Sequence, residues 1–120
     1  MLIRLTQAVQ DAQHMSQYPP VIRDVLSFIS INYTQDIFLQ ELADMNHVSE
    51  EHLSRLFKKE LGVTLTTYIG NLRTKKAAEL LKTSKLSIAE IAMYVGYSDS
   101  NYFVKVFKKR YGMTPSAYRR

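Results

Sequence analysis

The strongest constraint on this chain is that it states nearly the same pattern twice. Residues 53–64 read Leu-Ser-Arg-Leu-Phe-Lys-Lys-Glu-Leu-Gly-Val-Thr, and residues 103–114 read Phe-Val-Lys-Val-Phe-Lys-Lys-Arg-Tyr-Gly-Met-Thr. Phe57, Lys58, Lys59, Gly62, Thr64 and Tyr68 return fifty positions later as Phe107, Lys108, Lys109, Gly112, Thr114 and Tyr118. Upstream, Glu41, Ala43 and Ser49 return as Glu90, Ala92 and Ser98 at an offset of forty-nine, so the second copy gains one residue near its turn. Each copy reads as a short helix, a tight turn and a longer basic helix. No segment alternates with the period of a strand, which makes the expected fold class all-α.

The apolar positions place about seven helices. Val21, Ile22, Val25, Leu26, Phe28, Ile29 and Tyr33 share one face of a helix that opens at Pro20, where a missing N–H costs nothing. Residues 39–45 form a short helix. Ser49 is an N-cap for the next, which stops at Gly62 and is expected to bury His52, Leu53, Leu56, Phe57 and Leu61. Thr64 caps a long helix with Leu65, Tyr68, Ile69, Leu72, Ala77, Leu80 and Leu81 inward. About seventeen residues at about 1.5 Å each make it a rod of roughly 25 Å. Ser87 to Glu90 has capping-box spacing, and Ser98 or Asp99 caps the helix that ends at Gly112. That helix is expected to bury Tyr102, Phe103, Val106, Phe107 and Tyr111, and Thr114-Pro115 opens a final short one. Leu2, Leu5, Val9 and Ala12 mark a further amphipathic stretch over residues 2–15. The resulting division is residues 1–20 as a helix and linker, the possible tail of a missing domain; 21–63 and 84–120 as two helix-turn-helix subdomains; and 64–83 as the linker helix between them.

Charge is distributed unevenly along this plan. Residues 1–52 hold 2 Lys/Arg against 7 Asp/Glu, a net −5, whereas residues 53–120 hold 14 against 4, a net +10. The basic charge sits where the repeat sits, and a polyanion is its simplest partner. The absence of cysteine removes disulfides and thiolate metal ligands and agrees with a cytoplasmic location. No apolar run is long enough for a membrane span, and no secretory signal is evident.

A helix-turn-helix needs a small residue in its bracing helix, a turn residue that tolerates positive φ, and a second helix with one buried and one polar face. Ala43 and Ala92 supply the first requirement, and His47 and Gly96 the second. The outward face of the first recognition helix, about residues 50–61, carries Glu50, Glu51, Ser54, Arg55, Lys58 and Lys59. That of the second, about residues 99–111, carries Ser100, Asn101, Val104, Lys105, Lys108 and Lys109, with Ser98 just before it. Arg55 can bond bidentately to guanine, Asn101 can pair with adenine, Val104 can touch a thymine methyl, and Glu50 or Glu51 can accept from cytosine. Lys58, Lys59, Lys108 and Lys109 suit phosphates, which fix register without reading sequence. Singly, each lysine is better explained as a solvated face, and Glu51 equally well as an acid favoured by the helix dipole. Their paired recurrence favours double-stranded DNA.

These residues together resemble the DNA-binding domain of the AraC/XylS family of bacterial transcription regulators. The second repeat carries the likeness best, in Ile88-Ala-Glu-Ile-Ala-x-x-Val-Gly-Tyr, Asp99-Ser-Asn-Tyr-Phe-Val-Lys-Val-Phe-Lys-Lys and Gly112-Met-Thr-Pro-Ser-Ala-Tyr-Arg. The first repeat and Arg73, Ala77, Leu80 and Leu81 of the linker helix match as well, so the likeness runs from about Val21 to Arg120. It implies two recognition helices in successive major grooves on one face of the duplex, roughly 34 Å apart, or closer on bent DNA. It also implies transcription control, usually activation through RNA polymerase, and a separate N-terminal domain for sensing or dimerisation. A phospho-acceptor receiver, as in a response regulator, is one form such a domain takes. Four positions depart from the family pattern. Asn46 stands where an apolar residue is usual, Glu50 and Glu51 put two acids at the front of the first recognition helix, and Val104 replaces a small polar residue.

Enzyme chemistry finds no support. His14, His47 and His52 share no metal-ligand spacing, no glycine-rich phosphate loop is present, and the serines fall mainly at helix caps. No cofactor is implied. The competing reading is a small helical protein-interaction module that docks through Phe28 and Tyr33, with an incidental basic face; a non-specific nucleic-acid binder is a third.

Overall fold

The computed structural model describes residues 17–120 and contains, among these, seven helices and no strand. In chain order they are α1 (Pro20–Asn32), α2 (Leu39–Met45), α3 (Glu50–Leu61), α4 (Leu65–Thr83), α5 (Ile88–Tyr94), α6 (Ser100–Tyr111) and α7 (Pro115–Arg119). The all-α expectation and the helix count hold. The amphipathic stretch expected over residues 2–15 lies outside the described residues. The chain packs as two compact units, one reaching to Ile69 and the other running from Gly70 to Arg120.

In the first unit α2 packs on α3, and α1 packs on α3. Ile22, Val25, Leu26 and Ile29 of α1 meet Leu42 and Ala43 of α2 and Leu53 and Phe57 of α3 in a core closed to solvent. Tyr68 and Ile69, from the first turns of α4, join it, and Tyr68 meets Phe57 edge-on with ring centroids 5.4 Å apart. In the second unit α5 packs on α6 and α6 on α7. Here Ala77, Ala78 and Leu81 of α4 pack with Ile91, Ala92, Val95, Phe103 and Phe107. Phe107 stacks on Tyr111 at 4.5 Å and meets Tyr118 edge-on at 5.5 Å, so α7 is fastened by aromatic contact. Thr74 is fully buried on α4, and its hydroxyl is satisfied by donating to the Gly70 carbonyl at 2.9 Å.

Local chemistry sets the helix ends as the sequence predicts. Ser49 accepts from the His52 amide, Thr114 from the Ala117 amide, and Thr64 from the Thr67 amide. Gly62 and Gly112 end α3 and α6 in the left-handed conformation, with φ 79° and 75°. Ser87 and Glu90 form a reciprocal capping box; hydrogen bonding from the Ser87 amide, and then its hydroxyl, holds the Glu90 carboxyl below its usual value. Ser87→Ala removes one side of that box and should destabilise the protein by about 1 kcal/mol, read as a lower urea midpoint at constant m-value. A loss below about 0.3 kcal/mol would mean that the box contributes nothing beyond solvation of the same groups.

Candidate nucleic-acid interface

Each unit presents a braced helix behind a tight turn. His47, with φ 56°, and Gly96, with φ 110°, occupy equivalent places in the two turns. The next residue donates its amide to the small alanine of the bracing helix in both copies, Val48 to Ala43 at 3.1 Å and Tyr97 to Ala92 at 2.8 Å. The residue gained by the second copy is Ser98, since the N-cap of α6 is Asp99, whose carboxylate accepts from the Asn101 amide at 2.9 Å. Of the two caps the sequence allows, Asp99 is the one used. Asn46 ends α2 and turns its side-chain amide onto the Leu42 carbonyl at 2.9 Å, where the second copy buries Val95 completely.

On α3 the candidates Glu50, Glu51, Ser54, Arg55, Lys58 and Lys59 are all exposed. Glu51 lies 3.6 Å from Arg55 one turn on, with both side chains about three-quarters exposed. Such a pair contributes at most a few tenths of a kcal/mol and yields readily to another partner. Arg55, Lys58 and Lys59 line a groove of about 510 Å³ together with Ser54, Thr64 and Thr66. On α6, Asn101, Lys105, Lys108 and Lys109 are exposed, as is Ser98 before it, and Ser100 is half-buried. Val104, expected to face outward, is half-buried and packs against the core of its unit, whereas Ser54, its equivalent on α3, is exposed.

Two residues expected inside lie outside. His52 is exposed, and Tyr102 is 56% exposed. They are equivalent positions of the repeat, and each begins a row at 3,4 spacing, His52-Arg55-Lys59 and Tyr102-Lys105-Lys109. In the fold each row lies on the exposed side of its helix, away from the Phe57 or Phe107 face.

Not all of the basic charge faces outward for use. Arg119 donates to the Leu81 and Ser84 carbonyls at 3.0 and 3.3 Å, Arg110 bonds Asn71, and Arg73 donates to the Gly96 carbonyl at 3.2 Å. Lys82 sits 4.9 Å over the Tyr118 ring. The Tyr97 phenol is held above its ordinary pKa by burial, opposed by the positive charge of Arg73 beside it. Among the described residues no helix is long and apolar enough to cross a membrane, and no group of three His, Asp or Glu could hold a metal ion.

Comparison with known proteins agrees with this architecture. A family model described as a helix-turn-helix domain matches residues 42–120. The bifunctional transcriptional activator/DNA repair enzyme AdaA of Bacillus subtilis is 38% identical over 95 residues, covering 79% of this chain and 45% of its own length. This chain likewise spans less than half the length of several other curated relatives. Among solved structures, the C-terminal domain of AraT, a response regulator from Geobacillus stearothermophilus, superposes with a TM-score of 0.83 at 39% identity, covering 87% of both chains. A transcriptional regulator from Chromobacterium violaceum, of the AraC-type DNA-binding-domain class, gives a TM-score of 0.76 at 28% identity, covering 88% of this chain and 93% of its own. With its repeated turns, its capped recognition helices and a family match over most of its length, this chain belongs to the AraC-type helix-turn-helix family of transcription regulators.

Proposed function

We propose that the chain reads double-stranded DNA in a sequence-specific way, with α3 and α6 entering successive major grooves, and so directs transcription. The observation that carries this reading is the two-sidedness of both helices. Each buries two residues completely, Leu53 and Phe57 or Phe103 and Phe107, and exposes polar groups at its start and lysines toward its end. The first turns suit base edges and the later turns suit phosphates. On α3 the base-reading set is Glu50, Glu51, Ser54 and Arg55, to which the exposed His52 is added. On α6 it is Ser98, Ser100, Asn101 and the outward part of Val104, joined by Tyr102. Lys58, Lys59, Lys105, Lys108 and Lys109 hold the backbone.

Residues 21–63 and 84–120 are the two reading subdomains, 64–83 the linker helix, and 1–20 the approach from a further N-terminal domain. The likeness to the response regulator AraT supports a receiver as that domain, with sensing and dimerising domains as the other forms; the likeness to the transcriptional activator AdaA supports activation, for which RNA polymerase is the partner. The setting is the cytoplasm, where DNA and polymerase are. The protein-interaction reading is weaker, because within each repeat the exposed lysines lie on the same helix as the exposed polar residues of its first turns.

Selection from random duplex DNA tests the proposal. Two enriched boxes, each about half a turn long and about one turn apart, are expected. Asn101→Ala should then relax the preference at one base pair of one box by about 1–3 kcal/mol, and Arg55→Ala at one base pair of the other. A bound pool with no enriched sequence would refute specific reading.

A further inference from the structure

We propose that Arg73 of α4 is a positioning residue for the second recognition helix and thereby sets how sharply α6 discriminates base pairs. The inference rests on the DNA-reading function proposed above. Arg73 contacts the turn between α5 and α6 at both Gly96 and Tyr97. Its Nη1 donates to the Gly96 carbonyl at 3.2 Å, and its guanidinium carbon lies 5.2 Å from the centre of the Tyr97 ring. Gly96 is the half-buried turn residue with φ 110°, a conformation that glycine adopts without strain. Tyr97 is only 8% exposed, and a Cβ placed on Gly70, one turn before Arg73 on the same face of α4, would stand 3.7 Å from its hydroxyl. The ring is thus held from one side by α4.

From its other side the same ring bears on the recognition helix. Its centroid is 6.0 Å from that of Tyr102 and 5.6 Å from that of Phe103, both in the first turns of α6 beside Asn101. Arg73, Gly96, Tyr97 and the start of α6 form one continuous set of contacts. Bidentate base reading tolerates displacements of only about 0.5 Å, so the angle at which α6 leaves the turn decides whether Asn101 reaches a base edge. Arginine suits the role because one planar group can both stack on a ring and donate to a carbonyl, which an ammonium cannot do in the same way. The first unit lacks the arrangement. Val48 stands where Tyr97 does, and at the same offset of forty-nine the place of Arg73 is taken by Asp24, exposed on α1. Replacing Arg73 should therefore act on the second box alone.

The test compares the whole chain with its Arg73→Met and Arg73→Lys variants on the duplex selected by the wild type and on single-base variants of each box. Salt dependence and urea unfolding are measured in parallel. Arg73→Met is expected to cut discrimination within the second box about tenfold, with the first box and the salt slope unchanged and with Arg73→Lys between the two. Unchanged discrimination in both boxes, with only a lower urea midpoint, would reduce Arg73 to a structural role and overturn the proposal. A salt slope shallower by about one, with discrimination intact, would make it a phosphate contact and overturn it equally. If Arg73→Met does not fold, Arg73→Lys decides by the same two readouts, since it keeps the charge and the helix propensity. If the wild type selects no second box, the DNA-reading proposal fails at that helix, and this one falls with it.

Discussion

Raising salt from about 50 to about 200 mM should weaken binding of the selected duplex by roughly 500-fold. The estimate follows from which cations remain available. Lys58, Lys59, Lys105, Lys108 and Lys109 are exposed on the recognition helices, whereas Arg73, Arg110 and Arg119 are bound to groups of the protein itself. If each of the lysines neutralises one phosphate, log K falls against log salt with a slope of about −4.5. A fluorescence-anisotropy titration across that range measures the slope directly. Lys58→Ala with Lys108→Ala should make it shallower by about two, because one phosphate contact is lost from each unit. Arg119→Ala should leave it unchanged and lower stability instead. A wild-type slope shallower than about −2 would show that phosphates do not dominate the affinity, and the basic half of the chain would need another explanation.

Phe107→Ala should destabilise the second unit by about 3–5 kcal/mol. Phe107 is fully buried, and its ring touches Phe103 at 5.9 Å, Tyr111 at 4.5 Å and Tyr118 at 5.5 Å. Truncation would leave a cavity bordered by three other rings, each of which loses a contact worth about 0.5–1.5 kcal/mol beyond area burial. The α7 helix, five residues long, depends on the Tyr118 contact because so short a helix is not stable alone. Its amides should therefore lose hydrogen-exchange protection before those of the first unit. Phe57→Ala, at the equivalent place of the first unit, loses the edge-on contact with Tyr68 and falls at the lower end of the same range. Urea unfolding followed by circular dichroism reads both. A loss of under about 1 kcal/mol for Phe107→Ala would mean that the aromatic cluster repacks around the gap.

The helix boundaries were legible because they depend on neighbours along the chain. Ser49, Thr64, Ser87 with Glu90, and Thr114 with Pro115 cap the helices they precede, and Gly62 and Gly112 end the two recognition helices. The main core was legible as well, since Leu53 and Phe57, or Phe103 and Phe107, lie at the centre of an apolar stripe where a small rotation of the helix changes nothing. His52 and Tyr102 lie at the margin of that stripe, about 100° from its next member. There the amphipathic pattern alone allows either side. Val104 sits at the opposite margin and turned partly inward. For residues so placed, only the packing of the bracing helix and α4 decides direction.

The charge balance of the chain shows the same limit. The sequence by itself determined that two basic helices follow two tight turns, through periodicity, caps and residues that tolerate positive φ, all of which act over four or five positions. It did not determine that Arg73 meets a carbonyl 23 residues away, Arg110 an amide 39 away, or Arg119 a carbonyl 38 away. Those pairings exist only once α4 lies against the second helix-turn-helix, because a cation's partner is chosen by distance in space and no local pattern encodes it. The tertiary structure thereby decided which cations hold the protein together and which stay exposed on the recognition helices.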